Sequence, residues 1–243
     1  VETSPEQRYL YVIGDSLTFH GPQRTQAPTD ARLFPQVAAA QLSAQVDLHA
    51  RAGWTARDAW WALTKDPVAW GVYLPRATWL VLAVGGMDAL PAAVPTWVRS
   101  SVDYVRPGSV RRRMRRALQS ATPSVIRATR GQLRQLPQKA TDHYLSRIVQ
   151  AVRLVRPDLP IIAMTPAPYA SDLYPSDRPH RSAVAASKSW AAAQGIDMID
   201  LDPLAAGDFA AGVANPDGLH WAWSTHERVG QALASVCSAH RFN

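Results

Sequence analysis

Tyr9–Gly21 reads YLYVIGDSLTFHG, and this stretch decides the fold. Tyr9–Ile13 is a short apolar run bounded by Gly14, the pattern of a strand buried on both faces. Gly14-Asp15-Ser16 turns the chain sharply off the end of that strand. In an open α/β sheet, ligands bind outside the carboxyl ends of the strands. A hydroxyl presented there is a candidate nucleophile, but serine is inert until a base takes its proton.

The base is sought at the far end of the chain, in Asn215-Pro216-Asp217-Gly218-Leu219-His220-Trp221. Asp217 and His220 stand three apart in a turn-rich loop ahead of a helical pattern. That spacing lets the carboxylate hold one ring nitrogen while the other faces outward, the orienter and base of a Ser-His-Asp triad. Either motif alone is commonplace. Placed at the two ends of one α/β domain, they point to Ser16 as nucleophile, His220 as base and Asp217 as orienter.

Gly14-Asp15-Ser16-Leu17, with Asp217-Gly218-Leu219-His220 about 200 residues later, resembles the SGNH (GDSL) hydrolase superfamily. The resemblance covers essentially the whole chain. It implies a three-layer α/β/α sandwich, flavodoxin-like, with a five-stranded parallel sheet. The family's second block is a glycine after the second strand, matched by Gly53. Its third block, Gly-x-Asn-Asp, here reads Gly85-Gly86-Met87-Asp88. By resemblance, the backbone N–H groups of Ser16 and Gly53 supply an oxyanion hole. Met87 stands where the family's third donor, an asparagine, would be, and a thioether cannot donate. Another group fills in, two donors suffice, or the site is degenerate; an intact triad argues against the last.

Ala50–Pro67, Val84–Pro95 and Asn215–Trp221 resemble more narrowly a group of actinobacterial acyltransferases. That group places an octanoyl chain on a glucosylglycerate made early in methylglucose lipopolysaccharide synthesis. This implies octanoyl-CoA or an acyl carrier as co-substrate, with no resident cofactor. A carbohydrate esterase or thioesterase, or a weakly catalytic sugar- or lipid-binding module, is the rival reading. The nucleophile elbow G-x-S-x-G of the α/β-hydrolases is missing at Ser16.

Composition fits this frame. A chain of 243 residues, 47% hydrophobic, supports one α/β domain over residues 1–243. There is no apolar run long enough to span a membrane. The polar Val1–Gln7 lacks a signal peptide's pattern, so a cytoplasmic protein is expected. A single cysteine, Cys237, excludes an internal disulfide and any cysteine-based metal site, and no zinc motif is present.

The net charge of +7 is unevenly placed. Residues 106–139 hold ten basic residues and no acid, and interrupt the α/β rhythm. They read as a helical insertion on the carboxyl side of the sheet, a lid or acceptor-site element. Arg111, Arg112, Arg113, Arg115 and Arg116 form either a solvated face or a contact for an anion. Candidates are the phosphates of coenzyme A or phosphopantetheine, a glycerate carboxylate, and an anionic lipid surface. Nucleic acid is not expected, because no binding motif accompanies the charge.

Other substrate-contact candidates border these motifs. Asp15 precedes the nucleophile. His20 is a loop side chain facing water or a substrate contact. Trp54, beside the oxyanion glycine, lines an acyl slot or stacks on a sugar ring. Met87 occupies the third block, and Asp88 fixes that loop or binds substrate. Trp221 and Trp223 would keep water from His220. Six of nine tryptophans fall within the 44 positions from Trp54 to Trp97, which suggests a packed core and helix–sheet seam for Trp60, Trp61 and Trp79. His180, opening a later helix, is expected to face solvent, and His226 to be structural. Asp200 and Asp202 are read as structural at a strand end.

Overall fold

The computed structural model describes residues 7–94, Val98 and 101–240. Trp97 and Pro95 lie outside the described residues. Five parallel strands form one sheet in the order β2-β1-β3-β4-β5. They are β1 (Arg8–Gly14), β2 (Ala44–Ala50), β3 (Trp79–Ala83), β4 (Ile161–Met164) and β5 (Asp197–Ile199). This is the α/β architecture that the alternating apolar runs predict. Because both faces are covered, β1 carries side chains that are buried on both sides.

Tyr11 and Ile13 face one core, while Leu10 and Val12 face the other. The first core is closed by α2 (Ala56–Lys65), α4 (Gln138–Val155) and α5 (Arg178–Gln194). The second is closed by α1 (Phe34–Leu42), α6 (Asp202–Ala210) and α7 (Trp223–Ala239). Leu145, Ile148, Val149 and Val152 make the buried stripe of α4, as their helical spacing predicts. Thr55 caps α2 in a reciprocal box, its side chain accepting from the Asp58 N–H while Asp58 accepts from the Thr55 N–H.

Several boundaries differ from the sequence reading. The apolar spacing of Leu33, Val37, Ala40 and Leu42 predicts a helix over Leu33–Gln45, but α1 stops at Leu42, because Ser43 turns left-handed at φ 50° and β2 begins at Ala44. Trp61 is 43% exposed, flanked by Arg57 and Lys65 rather than packed in the core. Trp79 does sit in the core, its indole N–H donating to Cys237 O at 3.1 Å.

The basic insertion forms α3 (Gly108–Thr129). The chain then returns to the carboxyl end of β3. There the Ala92 N–H donates to Leu133 O, and the Gln135 and Leu136 N–H groups donate to Leu90 O and Asp88 O.

The register brings the site together. Gly14 is level with Ala50 on β2 and with Ala83 on β3. The three loops that leave these strands therefore emerge side by side. Among the described residues, no helix is long and apolar enough to cross a membrane.

Candidate active site

Directly after β1, Ser16–Thr18 forms a single tight helical turn. Asp15 caps it, its carboxylate accepting from the Leu17 N–H at 3.0 Å. Asp15 is 3% exposed, and burial pushes its pKa up to about 7. The Ser16 carbonyl accepts from the Phe19 and His20 N–H groups, so the backbone around the nucleophile is tied on its carbonyl side.

The second half of the site is a stitched loop. Asn215 Oδ1 accepts from the Asp217 N–H at 2.9 Å, and the Asn215 N–H donates to His220 O at 3.0 Å. Asp217 Oδ1 accepts from the Leu219 and His220 N–H groups at 2.8 and 3.0 Å. Its other oxygen, Oδ2, lies 2.6 Å from His220 Nδ1. A carboxylate can only accept, so Nδ1 carries the proton and Nε2 presents a lone pair. Nε2 stands 2.9 Å from Ser16 Oγ.

Gly218 is needed in this loop twice over. Its φ is +69°, and a Cβ there would stand 2.0 Å from Ala170 O. That close approach lets the Ala170 N–H donate to Gly218 O at 2.8 Å, which docks the loop onto the 165–177 segment after β4.

Charges are set for a neutral base. Burial lowers the His220 pKa and outweighs the attraction of Asp217, so the ring is neutral at pH 7. Burial alone would raise the Asp217 pKa, but the hydrogen bonds from the His220 backbone and ring and from Leu219 hold it below the usual carboxylate value. The order carboxylate, imidazole, hydroxyl is the geometry that a serine acyl-transfer site requires.

In front of Ser16 lies a slot of about 50 Å³, walled by Leu17, Met87, Leu90, Pro168, Tyr169 and Leu219. Gly53 takes φ +74° in the neighbouring loop, and the Met87 methyl lies 4.0 Å from where a Cβ on Gly53 would be. Among the described residues, neither the Ser16 nor the Gly53 N–H donates to another backbone or side-chain group.

The remaining candidates are placed unevenly. Asp15 and Met87 border the slot. His20 is half-buried and stacks on His220, with ring centroids 3.6 Å apart and planes 20° from parallel. Trp54 is half-buried and packs edge-on against His49. Asp88, 2% exposed, accepts from the Ala56 N–H and from the Thr141 hydroxyl, which ties α2 to α4. Burial pushes its pKa up to about 7. Trp221 is 1% exposed and packs on Phe34, so it is a core residue rather than a wall of the slot. Trp223 guards a different histidine, tilting against His226 at 5.5 Å.

Two further histidines take their places through tertiary contacts, His226 in the structural role expected of it and His180 against expectation. His226 is fully buried and anchors the loop that carries His20. Its Nδ1 accepts from the Phe34 N–H at 3.3 Å, so Nε2 carries the proton and donates to His20 O at 3.1 Å. His180 is not a solvent-facing residue: it is 13% exposed and pairs with Asp202 at 2.6 Å. No spacing motif links residues 180 and 202, so only the packing of α5 against the start of α6 could reveal this pair.

The model of the GDSL-like lipase/acylhydrolase family matches residues 12–228. The chain is 37% identical over 225 residues to the diglucosylglycerate octanoyltransferase of Mycolicibacterium hassiacum, covering 92% of each chain. It is also 37% identical to the enzyme of the same name from Mycobacterium tuberculosis, covering 92% of this chain and 90% of that one. A lipase/acylhydrolase from Enterococcus faecalis shares the fold with a TM-score of 0.64 at 15% identity, over 97% and 98% of the two chains. With its Gly-Asp-Ser-Leu turn, its hydrogen-bonded Asp-x-x-His loop and this family match, the chain belongs to the GDSL-like lipase/acylhydrolase family.

Proposed function

We propose that the chain is a serine acyltransferase that moves a medium-chain acyl group, octanoyl, onto a hydroxyl of a glucosylglycerate-type sugar. The observation that carries this reading is His220 Nε2 at 2.9 Å from Ser16 Oγ, with Nδ1 held by Asp217. The relatives named diglucosylglycerate octanoyltransferase support the choice of acyl group and acceptor.

Ser16 Oγ attacks the acyl carbonyl of a thioester while its proton passes to His220 Nε2. Asp217 stabilises the imidazolium that results. The Ser16 and Gly53 N–H groups hold the oxyanion, the role of preorganised donors with nothing else to bind. Collapse of the tetrahedral intermediate breaks the C–S bond, and His220 returns the proton to the departing thiolate. A sugar hydroxyl then attacks the acyl-serine and gives its proton to His220. The new ester forms as the Ser16 Oγ–C bond breaks, and the proton returns to Ser16. Coenzyme A or an acyl carrier supplies the thioester as co-substrate.

The decisive test is acyl partition. The protein is incubated with octanoyl-CoA, with and without glucosylglycerate or diglucosylglycerate, and products are followed by mass spectrometry. Acylated sugar in excess of free octanoate is the expected result. Free octanoate alone, at a rate indifferent to the sugar, would make the protein a thioesterase. No adduct of a fluorophosphonate probe on Ser16 would favour a binding module.

A further inference from the structure

The Ser16 turn and the His220 loop meet at His20 as well as through the Nε2–Oγ contact. The His20 N–H donates to Ser16 O at 2.8 Å. Its ring lies against the His220 ring, with centroids 3.6 Å apart. His20 Nδ1 stands 2.7 Å from Gly21 O; a carbonyl only accepts, so Nδ1 carries the proton and this bond fixes the ring's torsion. The loop itself is a small hairpin, closed by the Gln26 N–H on Phe19 O and the Gly21 N–H on Arg24 O. One short loop therefore holds both the nucleophile's backbone and the face of the base.

The carbonyl of His20 is met from the core. His226 Nε2, in the first turn of α7, donates to it at 3.1 Å, while Nδ1 accepts from the Phe34 N–H at the start of α1. The His226 ring is boxed by Phe34, Trp221 and Trp223, at 6.3, 5.5 and 5.5 Å between ring centroids. Trp221 directly follows the base in the chain. A Cβ on Gly21 would stand 2.6 Å from the Trp223 ring, so the hairpin is seated directly on α7. Burial pushes the His226 pKa down to about 4, so the ring is neutral at pH 7. Packing alone does not ask for an imidazole here, because an apolar side chain of similar volume would fill the box with no polar atoms to satisfy. What the two nitrogens supply is a fixed start to α1 and a fixed His20 carbonyl.

We infer that His226 is a positioning residue for the base: it pins the His20 peptide from the core, and the His20 ring holds the plane of His220 so that Nε2 points at Ser16 Oγ. This role rests on the serine–histidine reading of the site and names what keeps its 2.9 Å contact in line.

Two variants divide the ring's two bonds. An asparagine amide oxygen takes the place of Nδ1, and a glutamine amide nitrogen the place of Nε2. His226→Asn therefore keeps the Phe34 contact and loses the one to His20, and His226→Gln does the opposite. The readout is fluorophosphonate labelling of Ser16, split into its limiting rate and its half-saturating concentration, with the melting temperature alongside. His226→Asn is expected to lower the limiting rate about a hundredfold, the weight of a misplacement of about 1 Å, with the half-saturating concentration within about threefold. His226→Gln should label within about tenfold of wild type while melting lower. In a His20→Ala background, His226→Asn should cost less than about threefold more, because the link it acts through is already gone. Full labelling of a folded His226→Asn protein, or its whole loss repeated on top of His20→Ala, overturns this role. So do rates that simply follow the melting temperatures across the series. A folded His226→Gln that loses labelling about a hundredfold overturns it too, whether or not the asparagine variant folds. No labelling of Ser16 in the wild-type protein instead sinks the serine–histidine reading, and this role with it.

Discussion

Two histidine–aspartate pairs in this molecule are nearly identical by themselves. His220 Nδ1 is 2.6 Å from Asp217, and His180 Nε2 is 2.6 Å from Asp202. The histidine side chains are 15% and 13% exposed, and the aspartates 39% and 42%. They differ in which nitrogen the carboxylate takes. Asp217 binds Nδ1 and frees Nε2, the outer tip of the ring, toward Ser16 Oγ. Asp202 binds Nε2 and leaves Nδ1, the nitrogen next to Cβ, buried without a partner among the described residues. A short His–Asp contact therefore does not make a base. The free nitrogen must point outward and meet a nucleophile.

The largest effect expected from this contrast is at the nucleophile. Ser16→Ala should lower kcat by about 10⁶-fold while the melting temperature stays close to wild type. Activity within about tenfold of wild type would remove the distinction between the two pairs. Next is the orienter. Asp217→Asn should cost about 10⁴-fold in kcat by favouring the wrong tautomer, read in single-turnover acylation.

The equivalent change at the second pair, Asp202→Asn, should leave kcat within about threefold. It should lower stability by about 1 kcal/mol, seen as a shift in denaturant midpoint. A collapse of kcat there would mean that the second pair acts on the site, and the route is visible: His180 meets Tyr169, a wall of the slot, edge-on at 6.1 Å.

The smallest effect concerns pH. Burial first, and the neighbouring His20 last, keep the His220 pKa below its ordinary value despite Asp217. The base works only when neutral, so kcat/KM should fall as pH drops through that lowered pKa and hold level at neutrality. His20→Phe keeps a stacking ring but removes a group that can charge. The acid limb of the profile should then move to higher pH. An unmoved limb would assign His20 to packing alone, and His20→Ala, which loses the stack as well, should lower kcat across the whole range.

Much of the site is legible because it is built from short-range hydrogen bonds. Asp217 meets His220 three residues on, through contacts that the backbone of one loop can make without help. The Asp15 cap, the turn at Ser16 and the Thr55 capping box are local in the same way. Trp221, Asp88 and His20 are harder. Each was a candidate substrate contact by its nearness in sequence to a motif. The surroundings of each are set by what another element brings to it: Phe34 to Trp221, Ala56 and Thr141 to Asp88, and His220 to His20.

The amino-acid sequence alone determines the strands, through continuous apolar runs that only a doubly covered sheet can bury, and the two halves of the candidate site, through local turn chemistry. Tertiary structure alone decides that the halves meet across 204 residues. The level ends of β1, β2 and β3 and the docking of Gly218 against Ala170 aim His220 at Ser16 rather than leaving it like His180. The physical reason is range. A hydrogen bond between near neighbours is specified by the residues that make it, whereas the direction of a ring nitrogen depends on the packing of every element that holds its loop.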